Sequence, residues 1–125
     1  VLGPDAGPGT PEFDLFVEQL VAEMTVKAGQ KCTAIRRALV PRALADDVVA
    51  ATRERLAKVV VGAPGAEGVT MGALASLDQR QEVLRSLAAL RGVAEIVSGD
   101  PERFEVVGAD RERGAFLPPV LLRCD

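Results

Sequence analysis

The sequence contains no histidine, no tryptophan and no tyrosine, and only four phenylalanines are present. Without histidine, a reactive cysteine cannot be activated by the usual cysteine–histidine pair. The two cysteines, Cys32 and Cys124, lie far apart in the sequence. Two cysteines without any histidine exclude an ordinary structural zinc site. The scarcity of aromatic side chains also argues against a surface on which nucleic-acid bases could stack.

An excess of positive charge and long apolar runs are lacking as well. The formal net charge is −3 and the pI is about 5.0. These values argue against nucleic-acid or anionic-membrane partners, since either would need a basic face. No apolar run approaches the roughly 18 residues that a membrane-spanning helix requires. Sparse cysteine is typical of a reducing compartment, so we expect a cytoplasmic protein.

The length of the chain and its two ends bear on domain organisation. With 125 residues, of which 48% are hydrophobic, the chain can bury the core of one domain. It begins at Val1 without a methionine and stops at Asp125 without a polar tail. We therefore expect residues 1–125 to be one partial domain taken from a longer protein.

Three helices are predicted from apolar periodicity and capping residues. They cover about residues 11–28, 42–58 and 77–90. Thr10 is the expected N-cap of the first helix, because a proline and two acidic residues follow it. Ser76 and Gln79 form a capping-box pair for the third helix.

Short strands are predicted between and after the helices. The candidates are residues 34–40, 94–97, 104–107 and 119–122, and residues 59–61 could form a short strand or the end of the second helix. Helices and strands alternate in the first half of the chain. This order favours an α/β domain built around a mostly parallel sheet flanked by helices.

Cys32 lies where the first helical pattern stops and a strand pattern starts, a position suited to a strand-edge nucleophile. Gly29 supplies the tolerance of positive φ that such a turn needs. In an extended segment Lys31 would point to the opposite face, and the C-terminal end of a helix does not favour a thiolate. The activating base must then be a distant carboxylate, a bound cofactor or a group outside the chain. The N–H of Cys32 itself could donate to an oxyanion.

Less specific interpretations remain open at this point. Cys32 could be a small buried residue, or a redox sensor, although no resolving cysteine is near it in sequence. Cys124 is expected to be a packed residue, and Arg36 and Arg37 to alternate across a strand with a structural ion pair. The acidic residues of the first helix are expected to form a solvated face; they are Glu12, Asp14, Glu18 and Glu23.

Four segments carry a resemblance to a known family. Gly29–Ala34 (GQKCTA) resembles the pattern Gly-Gln-x-Cys-x-Ala, and Val61–Pro64 (VGAP) is similar to Val-Gly-Asp-Pro with alanine in place of aspartate. Met71–Leu74 (MGAL) resembles Gly-Pro-Leu with alanine in place of proline. Gly114–Val120 (GAFLPPV) resembles Gly-Tyr-Phe-x-x-Pro-Thr-Val. Because these segments occur in the right order along nearly the whole chain, the sequence resembles the aldehyde dehydrogenase superfamily.

A narrower likeness comes from Lys31 together with Ile35–Arg37. These residues resemble the dehydrogenase half of the bifunctional ring-opening enzymes of phenylacetate degradation, which oxidise a CoA-linked semialdehyde. The resemblance implies that Cys32 is the catalytic nucleophile, which attacks the aldehyde carbon to give a thiohemiacetal. A hydride would then pass to NAD or NADP, and water activated by a glutamate would release the acid from the thioester.

The resemblance also implies that much of the site lies outside this chain. The catalytic glutamate, the oxyanion-hole asparagine and the nucleotide-binding domain belong to other segments of the family's fold, so we expect no cofactor bound to this chain and no dehydrogenase turnover. The implied partner is a small-molecule aldehyde, and the parent enzyme is expected to be a homo-oligomer. Apolar surface left exposed would favour self-association. The alternative is a non-catalytic scaffold or binding domain that retains the fold.

Overall fold

The first helix starts where its capping signal predicts. In the computed structural model, which describes residues 1–124, Oγ1 of Thr10 accepts a hydrogen bond from the N–H of Phe13 at 3.3 Å. Helix α1 (Pro11–Thr25) then buries Phe13, Val17 and Leu20 on one face. These residues follow the apolar periodicity, so the predicted helix is confirmed. Its α-helical part ends three residues before the predicted boundary.

The second helix is shorter than predicted. A 3-10 turn (Arg42–Leu44) leads into helix α2 (Ala45–Leu56), whose buried residues are Val48, Thr52 and Leu56. Together with α1 and the loop before it, α2 forms the apolar core of a compact unit, Val1–Lys58, which we call the N-terminal unit. The buried members of that core are Leu2, Ala6, Phe13, Val17 and Val48.

The strand predicted at residues 34–40 is wrong. This segment has no regular secondary structure and no strand hydrogen-bond ladder in the described chain. Its carbonyl oxygens are satisfied in other ways, since Leu39 O accepts from the N–H of Leu2 at 2.9 Å and Ala34 O accepts from the guanidinium of Arg36 at 2.9 Å. Residues 34–40 therefore form an irregular segment, although their sequence pattern is typical of a strand.

The chain from Val59 onward forms a second compact unit, the C-terminal unit. Helix α3 (Leu77–Leu90) begins at Ser76, whose Oγ accepts a hydrogen bond from the N–H of Gln79 at 3.1 Å. The predicted third helix and its cap are thus confirmed. Strands β1 (Glu95–Ser98) and β2 (Leu121–Arg123) follow within two residues of the predicted positions.

The sheet described in residues 1–124 differs from the expected one. Strands β1 and β2 pair antiparallel, with Ile96 opposite Leu122 and an irregular register before Ser98. Residues 104–107 form no strand, and Val107 makes only an isolated parallel bridge with Gly62. The α/β class fits this mixture of helices and strands, whereas the mostly parallel sheet stays a prediction.

Close backbone approach at Gly62 organises the loops of the C-terminal unit. Its N–H donates to Met71 O at 3.0 Å, and the N–H of Val107 donates to Val61 O at 2.9 Å. A Cβ placed on Gly62 would clash with Val107 O, so only glycine fits there. No helix in the described residues is long and apolar enough to cross a membrane.

Candidate active site

Cys32 lies in a turn rather than at the edge of a strand. The N–H of Ala34 donates to Lys31 O at 3.0 Å, which closes a turn with Cys32 and Thr33 as its central residues. Both central residues are exposed, and Ala34 is buried. The thiol is therefore presented outward by a turn that is fixed at its far end.

A left-handed segment connects α1 to this turn. Lys27, Ala28 and Gly29 have φ values of 50°, 54° and 72°. The first two are not glycine, and an L-residue in this region costs roughly 1–2 kcal/mol. At Gly29 a Cβ would approach Met24 O to 3.3 Å. The predicted need for positive φ at Gly29 is confirmed, and the distortion extends over two residues that sequence reasoning did not anticipate.

Gln30 closes the left-handed segment on the turn side. Its N–H and its side-chain Nε2 both donate to Lys27 O, at 3.1 Å and 2.9 Å. The same carbonyl therefore holds the backbone and the side chain of one residue. This double contact explains why a glutamine suits the position directly before Lys31.

Lys31 was expected to point to the face opposite Cys32, and the structure shows what its side chain contacts. Its Nζ donates to Oε1 of Glu23 on α1 at 2.7 Å. The Glu23 side chain is only 18% exposed, so the prediction of a solvated face was wrong at this residue. Its other oxygen, Oε2, is buried and accepts no hydrogen bond within residues 1–124. The pair could not be found from sequence, because the two residues meet only through the left-handed segment.

Arg36 binds backbone carbonyls instead of a carboxylate. Its NH1 donates to Ala34 O at 2.9 Å and its NH2 donates to Lys31 O at 3.2 Å. The guanidinium thus contacts both ends of the Cys32 turn, and the expected structural ion pair was wrong for this residue. Arg37 is exposed.

The N–H of Cys32 is available to a ligand. Within residues 1–124 it donates no hydrogen bond, and neither do the N–H groups of Lys31 and Thr33, whereas those of Gln30 and Ala34 are engaged. A free N–H beside an exposed thiol can donate to an oxygen on a carbon that the sulfur attacks. The turn therefore supplies a nucleophile and one oxyanion donor.

The second cysteine and the acidic residues form no competing site. Cys124 is a free, exposed thiol, so its prediction as a packed residue was wrong. In the part of the chain that the structure describes, no group of three or more His, Cys, Asp or Glu side chains could hold a metal ion. Cys32 is likewise free, and its turn is the feature that joins exposure, an unused donor and a fixed backbone.

Comparison with known proteins places the chain in a family. The model of the aldehyde dehydrogenase family matches residues 10–124. The chain belongs to the aldehyde dehydrogenase family. This confirms the resemblance carried by the four sequence segments, and the family is one of oxidoreductases that act on aldehydes.

Individual relatives agree with the family. A 3,4-dehydroadipyl-CoA semialdehyde dehydrogenase from Aromatoleum evansii is 50% identical over 125 residues, which are 100% of this chain and 24% of that protein. A putative aldehyde dehydrogenase from Staphylococcus epidermidis is 33% identical over 113 residues, covering 86% of this chain and 23% of that protein. The chain thus spans about a quarter of the length of these curated relatives.

Solved structures show the same relationship. Betaine aldehyde dehydrogenase from Staphylococcus aureus, in complex with NAD+, superposes with a TM-score of 0.79 at 27% identity, covering 90% of this chain and 22% of that one. A cysteine-to-alanine mutant of aldehyde dehydrogenase C from Pseudomonas syringae, with NAD+ and octanal, gives a TM-score of 0.75 at 26% identity over 92% of this chain and 23% of that one. The structural neighbours are thus α/β aldehyde dehydrogenases.

Proposed function

We propose that Cys32 is the nucleophile with which this chain contributes to aldehyde oxidation. The observation that carries the proposal is the exposed thiol in a turn whose own N–H is unused, within a chain of the aldehyde dehydrogenase family. Thioester chemistry at a cysteine does not require histidine when another group accepts the proton. The lack of histidine is therefore compatible with this role.

In the proposed first step the Cys32 thiol loses its proton to a base outside the turn, and the other groups that act belong to the Cys32 turn. The thiolate sulfur attacks the aldehyde carbon, a C–S bond forms, and the carbonyl electrons move onto the oxygen. The N–H of Cys32 donates to that oxygen as its charge develops, when the hydrogen bond is strongest. Arg36 and the Ala34–Lys31 hydrogen bond keep the turn closed meanwhile.

The glycine-rich stretch of this chain does not fit the phosphates of a dinucleotide. The glycine-rich stretch 3–9 contains Pro4 and Pro8, which lack the N–H donors that a phosphate would need. Its Gly3 is also close to a carboxylate, since Oδ1 of Asp5 lies 2.6 Å from the position of a Gly3 Cβ. We therefore propose that NAD or NADP, the hydride acceptor in the parent enzyme, is bound by polypeptide outside this chain.

We propose a CoA-linked semialdehyde as the substrate class. This rests on the 50% identity to a 3,4-dehydroadipyl-CoA semialdehyde dehydrogenase over the whole chain. The more specific link to phenylacetate degradation stays a prediction, as does a cytoplasmic location. The substrate class is tested in the full-length parent enzyme, since residues 1–125 alone should have no turnover, by comparing kcat/KM for a CoA-linked semialdehyde with that for octanal.

We further propose that residues 1–125 are part of the catalytic domain of a homo-oligomeric enzyme and have no turnover alone. Exposed apolar side chains in both units support this proposal, since they could pack against other parts of the enzyme. They include Leu15, Leu39 and Val93, which are 57%, 61% and 73% exposed. Such surface favours association. The isolated chain should show no NAD(P)-dependent aldehyde oxidation and should sediment with a concentration-dependent mass.

The nucleophile is tested in a chimera. This chain replaces the matching segment of the Aromatoleum evansii enzyme, to which it aligns over its full length. Cys32→Ser should abolish turnover, because the alcohol is a far weaker nucleophile than a thiolate, whereas Cys124→Ser should leave it unchanged. Full activity of the Cys32→Ser chimera would contradict the proposal.

A labelling experiment separates catalysis from the scaffold alternative. Cys32 and Cys124 are both exposed, so accessibility alone gives them similar alkylation rates. If the turn serves catalysis, iodoacetamide should label Cys32 well before Cys124 in the chimera, which contains the rest of the enzyme, as measured by peptide mass spectrometry. Equal rates would favour a scaffold.

A further inference from the structure

The path of the chain between α1 and Cys32 is held by contacts that span a strained segment. Lys27 and Ala28 have left-handed φ values without being glycine. Residues persist in this region only when surrounding structure over-determines them. Glu23 lies before the segment and Lys31 after it, and their side chains meet at 2.7 Å. The ion pair therefore connects the residues on either side of the left-handed segment.

Lys31 is engaged at both its side chain and its backbone. Its Nζ donates to Glu23, and its carbonyl oxygen accepts from the N–H of Ala34 at 3.0 Å and from Arg36 at 3.2 Å. One residue thus connects the end of α1 to the turn around Cys32. Lys31 is therefore the link through which Glu23 contacts that turn.

We propose that Glu23 is a positioning residue for Cys32, because its ion pair with Lys31 holds the cysteine turn against the end of α1. This inference rests on the proposed function, since the position of the turn matters for the reaction only if Cys32 is the nucleophile. Glu23 itself touches neither sulfur nor substrate in this assignment. It acts through Lys31.

The setting of this pair differs from that of an ordinary surface ion pair. Glu23 occupies the last turn of α1, which contains no basic residue, and a carboxylate at that end of a helix is unfavourable unless a cation offsets it. Its side chain is 18% exposed. By contrast, Glu54 and Lys58 are 77% and 74% exposed and lie 3.8 Å apart. That second pair is a matched control within the same unit.

Amide hydrogen exchange of the full 125-residue chain tests the tether. Glu23→Met and Lys31→Met should each lower protection of the Ala34 amide about two- to fivefold, the range expected for one partly exposed ion pair. The charge-swapped double variant E23K/K31E should restore protection, and Lys31→Arg should retain it. Lys58→Met should leave it unchanged. Exchange of the Val17 amide should be the same in all variants.

Three results would overturn the proposal. They are unchanged Ala34 exchange in both single variants, loss of protection that neither E23K/K31E nor Lys31→Arg prevents, and a parallel loss at Val17, which would indicate general destabilisation. In the chimera, Glu23→Met should lower kcat several-fold with little change in KM, and the charge swap should restore kcat. Cys32→Ser should abolish turnover while Ala34 exchange stays normal, so failure of the nucleophile assignment is distinguished from failure of the tether.

Discussion

In both compact units, arginine side chains donate hydrogen bonds to the backbone carbonyls of irregular segments, but the two units bury these arginines to different extents. In the N-terminal unit, Arg36 donates to two carbonyls of the exposed Cys32 turn. In the C-terminal unit, Arg80 donates to Arg111 O at 3.4 Å and to Gly114 O at 3.3 Å, and its Nε is buried. Arg111 in turn donates to Glu102 O and Phe104 O.

This difference indicates what each arginine does. A guanidinium with several fixed donors can replace a missing strand partner for a loop. Arg80 and Arg111 do this for loops that contain no cysteine, and we assign them a role in folding. Arg36 donates to carbonyls of the exposed turn that contains Cys32. We expect these bonds to add little to the free energy of unfolding and to act mainly by fixing the backbone of the turn. The following predictions test this contrast.

The largest effect is expected in the apolar core of the N-terminal unit. Phe13→Ala should lower the free energy of unfolding by about 3–5 kcal/mol, because it removes a buried aromatic ring and leaves a cavity. Leu15→Ala on the exposed face of α1 is the control, with a change of about 0.5 kcal/mol or less. Urea unfolding followed by circular dichroism measures both. Similar losses for the two variants would contradict the assigned core face.

The second-largest effect is expected from the difference in stability between variants of Arg80 and Arg36. Arg80→Met should cost about 1–3 kcal/mol of unfolding free energy, because it leaves partly buried carbonyls without their charged donor. Arg36→Met should cost less than about 1 kcal/mol, since one of its two bonds is exposed and water can replace it. Urea titrations of both variants give the comparison. A larger loss for Arg36→Met would reverse the assignment of structural and positioning roles.

The helix caps offer a closer match between the units. Thr10 Oγ1 accepts from the N–H of Phe13 and also donates to Gly7 O at 2.8 Å, whereas within residues 1–124 Ser76 Oγ makes only the cap bond. Thr10→Ala should therefore cost about 1.5 kcal/mol and Ser76→Ala about 1 kcal/mol. Thermal unfolding at equal concentration measures the difference. The reverse order would mean that the Gly7 contact contributes nothing.

The smallest expected effect is a gain in stability. Ala28→Gly should raise the free energy of unfolding by about 0.5–1 kcal/mol, because glycine adopts a φ of 54° without steric cost and this outweighs its added freedom in the unfolded chain. Ala50→Gly, at an exposed position in the middle of α2, should lower stability by about 1 kcal/mol. A loss in the Ala28→Gly variant would show that position 28 is not strained.

Sequence reasoning succeeded where local chemistry decides structure. Thr10 and Ser76 mark helix starts because their side-chain oxygens satisfy amides three residues ahead, and Gly29 marks a positive φ because only glycine adopts it freely. Helices α1 and α3 were therefore predictable to within a few residues at their starts.

It failed where partners distant in sequence or outside the local pattern decide structure. Residues 34–40 have the composition of a strand. Instead of a strand partner, Arg36 donates to the carbonyl of Ala34 and the N–H of Leu2 donates to that of Leu39. Glu23 and Lys31 are neighbours only because Lys27 and Ala28 reverse the chain, and no spacing rule anticipates left-handed lysine and alanine. The cysteine itself was recognisable, whereas the contacts that hold its turn were not.

The steric cost of the left-handed φ at position 28 depends on the chirality of the residue there. For a D-residue the sterically favoured region is the mirror image of that for an L-residue, so D-alanine suits the φ of 54° at position 28. A chain assembled by peptide ligation with D-Ala at this position would keep the methyl group and remove the clash. It would also avoid the freedom that glycine gives the unfolded chain. Stereochemistry at one α-carbon thus becomes a means of rigidifying the connection between α1 and Cys32 without altering a single side chain.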